Sequence, residues 1–348
     1  MSGTRIQHEL QTSGPLLDEN GNLCQVGWSR QPLLDCNLER ANFYRLRPLQ
    51  RFRIKRWDYY GVTTPSFYFS TTLAHVGYIG QAFAYFVDFE SGEHTERTVT
   101  IPFGSGVLLP RNSTEGESSY RKGSLSMQFT VQSEDRRLTL AWPNFAGKGL
   151  AANLHMKLPS DHESMVIIIP FTRNRFYYNR KINCIPVEGW VEFGGKRYGI
   201  SSQDSLGNLD WGRGMWPYNS FWVWASASGF LPDGRTIGLN LGFGFGDTSN
   251  ATENAFILDG KVHKLGEIHF EYDSSDFKRP WKLSSQDGRL QLTFEPFIER
   301  VAQTNLLLLK SKVYQMFGRY SGKVVTDEGE AVNLEGLIGW AEEHQAKW

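Results

Sequence analysis

Two runs decide the class of fold. They are Phe221-Trp-Val-Trp-Ala-Ser-Ala-Ser228 and, after the Pro232-Asp-Gly234 turn, Gly238-Leu-Asn-Leu-Gly-Phe-Gly-Phe-Gly-Asp247. In the first, Phe221, Val223, Ala225 and Ala227 alternate with Trp222, Trp224, Ser226 and Ser228. In the second, Leu239, Leu241, Phe243 and Phe245 share one face, and Gly238, Asn240, Gly242, Gly244 and Gly246 share the other. Alternation with period two is the mark of a strand, so the pair reads as a β-hairpin. A glycine-lined face packs nothing itself and costs backbone entropy, so it belongs where something bulky approaches. Three occupants fit: a neighbouring aromatic such as Trp222 or Trp224, a curved barrel wall, or a ligand.

The pattern extends outward. Leu290, Leu292 and Phe294 alternate with Gln291, Thr293 and Glu295. Turns at Glu19-Asn-Gly21, Gly194-Gly195, Leu258-Asp-Gly260, Gln286-Asp-Gly288 and Asp327-Glu-Gly329 supply the positive φ angles of tight hairpins. The apolar stretch from Leu73 to Phe89 is broken by His75, Gln81 and Asp88. A membrane span needs about 20 apolar residues, so this stretch reads as buried strands. Val332 to Trp348, with Glu335, Ala341, Glu342 and Glu343, reads as a short terminal helix. Arg111 to Gly123 reads as a loop. Phe297 to Lys312 stays ambiguous, with a buried strand at Leu306 to Leu309 as one option. A boundary falls within Asn174 to Gly189, after the buried run Met165-Val-Ile-Ile-Ile-Pro170, which divides the chain into units 1–180 and 181–348.

Composition agrees. The 348 residues include 23 Phe, 14 Tyr, 11 Trp and 35 Gly. Aromatic and glycine enrichment favours an all-β protein. Lys plus Arg is 37 and Asp plus Glu is 37, so the formal charge is zero. Nothing therefore draws the chain broadly toward nucleic acid or an anionic membrane surface. Cys24, Cys36 and Cys184 form no C-x-x-C, which excludes zinc-ribbon and thioredoxin readings and fits a reducing compartment. The polar stretch Met1 to Gly14 lacks the apolar core of a signal peptide. A soluble, cytoplasmic protein is expected.

The densest polar-aromatic cluster is Leu209-Asp-Trp-Gly-Arg-Gly-Met-Trp-Pro-Tyr218, which its glycines and proline make a loop before a strong strand. Asp210 and Arg213 look like an oriented ion pair framed by Trp211, Trp216 and Tyr218. Asp210 suits a general acid or base, with Arg213 tuning it or holding an anion. A structural salt bridge at a barrel mouth explains the cluster equally well. Gly246 to Ala255 is a polar connection. Within it Asp247, Glu253 and Asn254 could line the same opening, although Asp, Thr, Ser and Asn also bond their own backbone in turns. Asn240 lies on the glycine face and His263 follows an Asp-Gly turn. Both join the candidate binding set, although a lone hairpin His is more often a packing residue. His263 and His269 lack zinc-helix spacing, so no metal is expected. No phosphate-loop or nucleophile-elbow motif occurs, and no cofactor is expected. Arg51 to Arg56, before Trp57-Asp-Tyr-Tyr60, reads as a solvated strand face, with a phosphate-binding patch as the alternative.

Taken together, Gly27-Trp-Ser-Arg30, Asp210-Trp-Gly-Arg-Gly214, Trp216-Pro-Tyr218, Trp224-Ala-Ser226, Gly238-Leu-Asn-Leu-Gly242, Thr252-Glu-Asn254, Asp259-Gly-Lys261 and Phe294-Glu-Pro296 resemble the DUF2804 family. Gln315 with Gly318, and Gly339, Glu342 and Trp348 near the end, extend the match over nearly the whole chain. That family is distantly similar to carotenoid 1,2-hydratase, AttH-like and survival-factor-type proteins. The resemblance implies two lipocalin-like β-barrels or strongly curved sheets in tandem. In those relatives an Asp-His-x-x-Gly loop precedes an aromatic strand, and Asp210-Trp-Gly212 looks like its counterpart. No His follows Asp210 here, so a His-dependent proton transfer is not inherited at this position.

An eight-stranded barrel holds one small ligand, and an aromatic interior with few polar groups suits an apolar molecule. The expected function is cofactor-independent acid–base chemistry, of hydratase, lyase or isomerase type, on a small lipophilic or isoprenoid-like molecule. Asp210 and Glu253 would handle the proton. Burial beside Trp would raise the Asp210 pKa and Arg213 would lower it. Trp216, Trp222 and Trp224 would wall the pocket or stabilise a cation through their π faces. Alternatives are a lipid or terpenoid carrier without turnover, and a carbohydrate-active protein.

Overall fold

The computed structural model describes residues 6–306 and 309–348. Part of the N-terminal stretch read above, and the middle of Leu306 to Leu309, lie outside the described residues. Among the described residues the structure is nearly all β, with 61% strand and 3% helix. Among the described residues no helix is long and apolar enough to cross a membrane. The three cysteines are free, Cys24 exposed and Cys36 and Cys184 buried.

Two strongly curved antiparallel sheets form the body, the tandem arrangement expected of paired lipocalin-like units. The first runs, in spatial order, His94–Pro102, Ile79–Asp88, Phe67–His75, Lys55–Thr63, Leu206–Met215, Arg175–Phe193, Leu150–Lys157, Asp135–Trp142, Leu125–Gln132 and Glu115–Lys122. The second runs Lys261–Lys264, Ala255–Leu258, Thr236–Phe243, Asn219–Phe230, Ala331–Lys347, Leu309–Val325, Leu290–Leu306, Trp281–Ser285 and Ile268–Glu271. The change of sheet falls between Met215 and Asn219, whereas the sequence reading divides the chain at 180/181. Proline and glycine mark where a strand bends, but not which neighbour it pairs with.

Three segments differ from expectation. The terminal segment is a strand, Ala331–Lys347, paired with Asn219–Phe230 on one side and Leu309–Val325 on the other. Its Glu and Ala favour helix locally, but two flanking ladders outweigh that weak preference. The Arg111 to Gly123 stretch contains the edge strand Glu115–Lys122. The Asp210 cluster is no loop: Leu206–Met215 is a fully buried strand in the first sheet.

Period-two alternation sorts side chains between layers. Tyr60, Val62, Phe69, Leu73, Leu209 and Trp211 point into the first sheet's own core. Val223, Ala225, Leu239, Leu241, Phe294 and Met316 fill the second sheet's core. The intervening residues, Tyr59, Tyr68, Trp224, Phe317 and Trp340 among them, face the opposite way and form a third, aromatic layer where the two sheets meet. Arg175–Phe193 ties this layer together. A register shift lies between Ile182 and Ile185, where Cys184 adopts φ 60°. Within that shift the Asn183 side chain donates to Ser226 Oγ at 2.9 Å, Ala227 O at 3.0 Å and Leu239 O at 3.1 Å on the second sheet. Gly238 lacks a Cβ where Asn183 and Cys184 press closest. At that position the bulk that meets the glycine face is the first sheet itself.

Candidate functional site

The cavity lies between the sheets, and not inside a barrel as expected. The core side chains of each sheet occupy its concave face beside this point, and the space opens on the backs, where the two sheets meet. Its volume is about 220 Å³, well above the roughly 10–15 Å³ that one water needs.

Two register rows face each other across it. On the first sheet, Lys181 is paired with Asp210, Asp210 with Tyr59, Tyr59 with Thr72, and Thr72 with Phe83. On the second, Gly242 is paired with Trp224, Trp224 with Glu342, Glu342 with Gln315, and Gln315 with Arg300. All of these except Gly242 line the cavity. Gly242 would direct a Cβ into the Glu253 carboxylate, so the missing side chain is what admits Glu253 to the row.

Lys181 is the hub. Its Nζ lies 3.3 Å from Asp210 Oδ2 and 3.6 Å from Glu253 Oε2, and 3.8 Å from the Trp224 ring. Asp210 also accepts a 2.6 Å bond from Asn179 Nδ2. One ammonium thus joins a carboxylate of the first sheet to one from the connection between Thr236–Phe243 and Ala255–Leu258, over an indole face. Across from it, Glu342 accepts from Gln315 Nε2 at 3.0 Å. Burial pushes the Glu342 carboxyl up to about 7, against the opposing pull of Arg300 and Lys181. His344, two residues along the same face, bonds Ser311 Oγ at 2.8 Å and packs 4.0 Å from Trp222. Burial, reinforced by Arg300, holds its imidazole down to about 3, so it is neutral at ordinary pH. Tyr59 joins Tyr68 and Tyr85 through hydroxyl contacts of 2.6 and 2.8 Å. Trp57, Trp216, Tyr177, Phe245 and Trp348 complete the aromatic wall.

The sequence-derived candidates divide cleanly. Asp210, Glu253, Trp216, Trp222 and Trp224 line the cavity. Asn240 stands behind it, accepting from Trp224 Nε1 at 2.8 Å and donating to Glu253 O at 2.7 Å. Five others do not line it. Arg213 pairs with Asp58 at 2.8 Å and not with Asp210, because residues three apart on a strand point to opposite faces. Trp211 is in the first core for the same reason. Tyr218 is partly exposed beyond the strand end. Asn254 holds backbone together, accepting from Gly242 N and donating to Gly266 O. His263 stacks on Phe256 and faces Asp327. Sequence reasoning missed Lys181, Arg300, Glu342 and His344. The alternation Trp340, Glu342, His344 was visible, and it points one way only if the segment is a strand. Among the described residues no group of three His, Cys, Asp or Glu is arranged to hold a metal ion.

A family model described as a domain of unknown function, DUF2804, matches residues 7–348. The chain belongs to the DUF2804 family. No curated protein matches it. Among solved structures this DUF2804 chain is similar to CghA with Sch210972, at 11% identity and TM-score 0.54, covering 85% of this chain and 89% of that one. It is also similar to an AttH-like protein from Nitrosomonas europaea, at 12% identity and TM-score 0.52, covering 84% and 93%. At these identities the likeness is one of fold.

Proposed function

We propose that the inter-sheet cavity hosts acid–base chemistry on a small, mostly apolar molecule, using the chain's own side chains for the proton. The observation that carries this is Glu342: a buried carboxyl, titrating near 7, on an aromatic wall opposite the Lys181–Asp210–Glu253 cluster. A proton carrier works best when its pKa lies near the working pH. Glu342 would give its proton to a substrate carbon or oxygen and recover it in the second half of the reaction. Positive charge developing on the substrate would be met by the Glu342 carboxylate left behind and by the indole faces of Trp222 and Trp224. Asp210 and Glu253, held by Lys181, would orient the polar end. Trp216 Nε1 and Trp348 Nε1 are buried without a hydrogen-bond partner, which favours a ligand carrying an accepting oxygen. CghA, similar in fold, is a structure with Sch210972, and a fold that holds such a molecule supports a ligand role here.

The test is native mass spectrometry of purified protein, organic extraction of what it retains, and turnover of that molecule. Glu342→Gln is expected to retain the molecule and lose at least a hundredfold in rate. An Asp210→Asn, Glu253→Gln double variant is expected to lose retention. Full activity in Glu342→Gln ends this mechanism. Retention without turnover by the wild type makes the protein a carrier.

A further inference from the structure

Behind the cavity, the other face of Leu206–Met215 opens on a second concavity that the first sheet forms with its N-terminal segments. This groove is of about 1000 Å³ and shares no lining residue with the inter-sheet cavity. Phe52, Phe103 and Leu109 give it apolar walls. Its arginines are not equally matched. Arg111 is bound by Asp35 and by Glu39 at 2.9 Å. Arg213 meets Asp58 and bonds the carbonyls of Trp57, Gly212 and Pro110. The second oxygen of Asp58 is held by Ser118. Arg56 has no such partner. It stands directly opposite Arg213 on one neighbouring strand and His75 on the other. Its Nε is buried without a hydrogen bond, and the charge it feels from Asp58 is already claimed by Arg213 and Ser118.

Like charges directly opposite across strands destabilise a sheet, and a partly buried cation without a paired counter-ion of its own costs more. Burial, then the charge of Arg213, pulls the Arg56 pKa down. A cation kept under such strain at the wall of an open, apolar groove needs an anion from outside. We propose that this groove binds an oxyanion headgroup, carboxylate or phosphate, carried on an apolar body, with Arg56 as the charged contact. The Arg51 to Arg56 run, read as one strand face, is in fact the end of a 3-10 turn, Arg47–Phe52, followed by the start of the strand Lys55–Thr63. His75 serves as a reporter: its imidazole is held below the ordinary value by burial and then by Arg56, and an anion on Arg56 would release part of that shift.

Calorimetric titration of the full chain with decanoate, decyl phosphate, inorganic phosphate and 1-decanol tests this. Decanoate or decyl phosphate should bind at least roughly tenfold more tightly than phosphate or decanol, the size of one charged hydrogen bond. Whichever binds tighter assigns the headgroup. Arg56→Met should lose that preference while melting at or above the wild-type temperature, since it removes a repulsion. In the wild type, the His75 NMR titration should move to higher pH when the ligand is present. Equal binding of decanol and decanoate, equal binding of bare phosphate, or an unmoved His75 each overturn the proposal. So does an Arg56→Met variant that melts lower or fails to fold, because Arg56 would then be a structural residue.

Discussion

Glu342 and His344 project from one face of the same strand, and burial moves their protons in opposite directions. The sign of each follows from linkage. Glu342 is raised from 4.5 to about 7. Between those values the folded protein keeps a proton that the unfolded chain has released, so stability falls as pH rises. His344 is lowered from 6.5 to about 3. Between those values the unfolded chain holds a proton that the folded protein refuses, so stability rises with pH. Each slope is about 1.4 kcal/mol per pH unit. From pH 4.5 to 6.5 the two cancel, and the wild type conceals both. Glu342→Gln removes the falling slope, so its stability relative to wild type should climb by about 3 kcal/mol across that window. His344→Gln removes the rising slope and should fall by about the same amount. Urea unfolding of the three proteins at pH 4.5, 5.5 and 6.5 measures this, and groups common to all three drop out of the differences. Two variant curves that run parallel to wild type would refute the reasoning, because burial would then not hold these protons in the folded state.

Other expectations follow from single contacts. Lys181→Met strands Asp210 and Glu253 beside each other and should cost about 3–5 kcal/mol in urea unfolding, with Asp210→Asn and Glu253→Gln added to it restoring most of the loss. Gly242→Ala places a Cβ against the Glu253 carboxylate. The clash reaches back to the Glu253 Cγ, so the side chain has to leave Lys181, and both ligand retention and stability should fall, the latter by about 1–3 kcal/mol. Lys55 is buried, 5.3 Å over the Trp216 ring and bonded to Trp348 O at 3.2 Å, and burial lowers its pKa from 10.5 to about 7. The unfolded chain binds that proton up to pH 10.5, so stability should rise between pH 7 and 10.5. Lys55→Met should flatten the rise in unfolding measured across that range.

The fold was legible because alternation and turn chemistry are local. The hairpin forms over Asn219–Phe230 and Thr236–Phe243, but the alternation read on to Asp247 stops at Phe243: Leu239 and Leu241 enter the second core, Phe243 is exposed, and Phe245 turns to the aromatic wall of the cavity that Trp222, Trp224 and Glu253 share with Asp210. What local pattern does not carry is which strand lies beside which. Lys181 is 29 residues from Asp210 and becomes its neighbour only through strand pairing. The terminal strand showed helix-favouring residues, which hid Glu342 and His344. Treating Asp210 and Arg213 as a loop pair ignored that a strand sends them apart.

That last point reaches beyond assignment. Leu206–Met215 is a partition one backbone thick, with Asp210 on one side and Arg213 on the other. Deleting a single residue between Asp210 and Arg213 while the flanks hold register would turn the guanidinium toward the indoles and leave Asp58 without its counter-ion. Both chambers would fail together, although no residue of the second sheet had changed. Two cavities with no shared lining residue are thus joined through the parity of one strand.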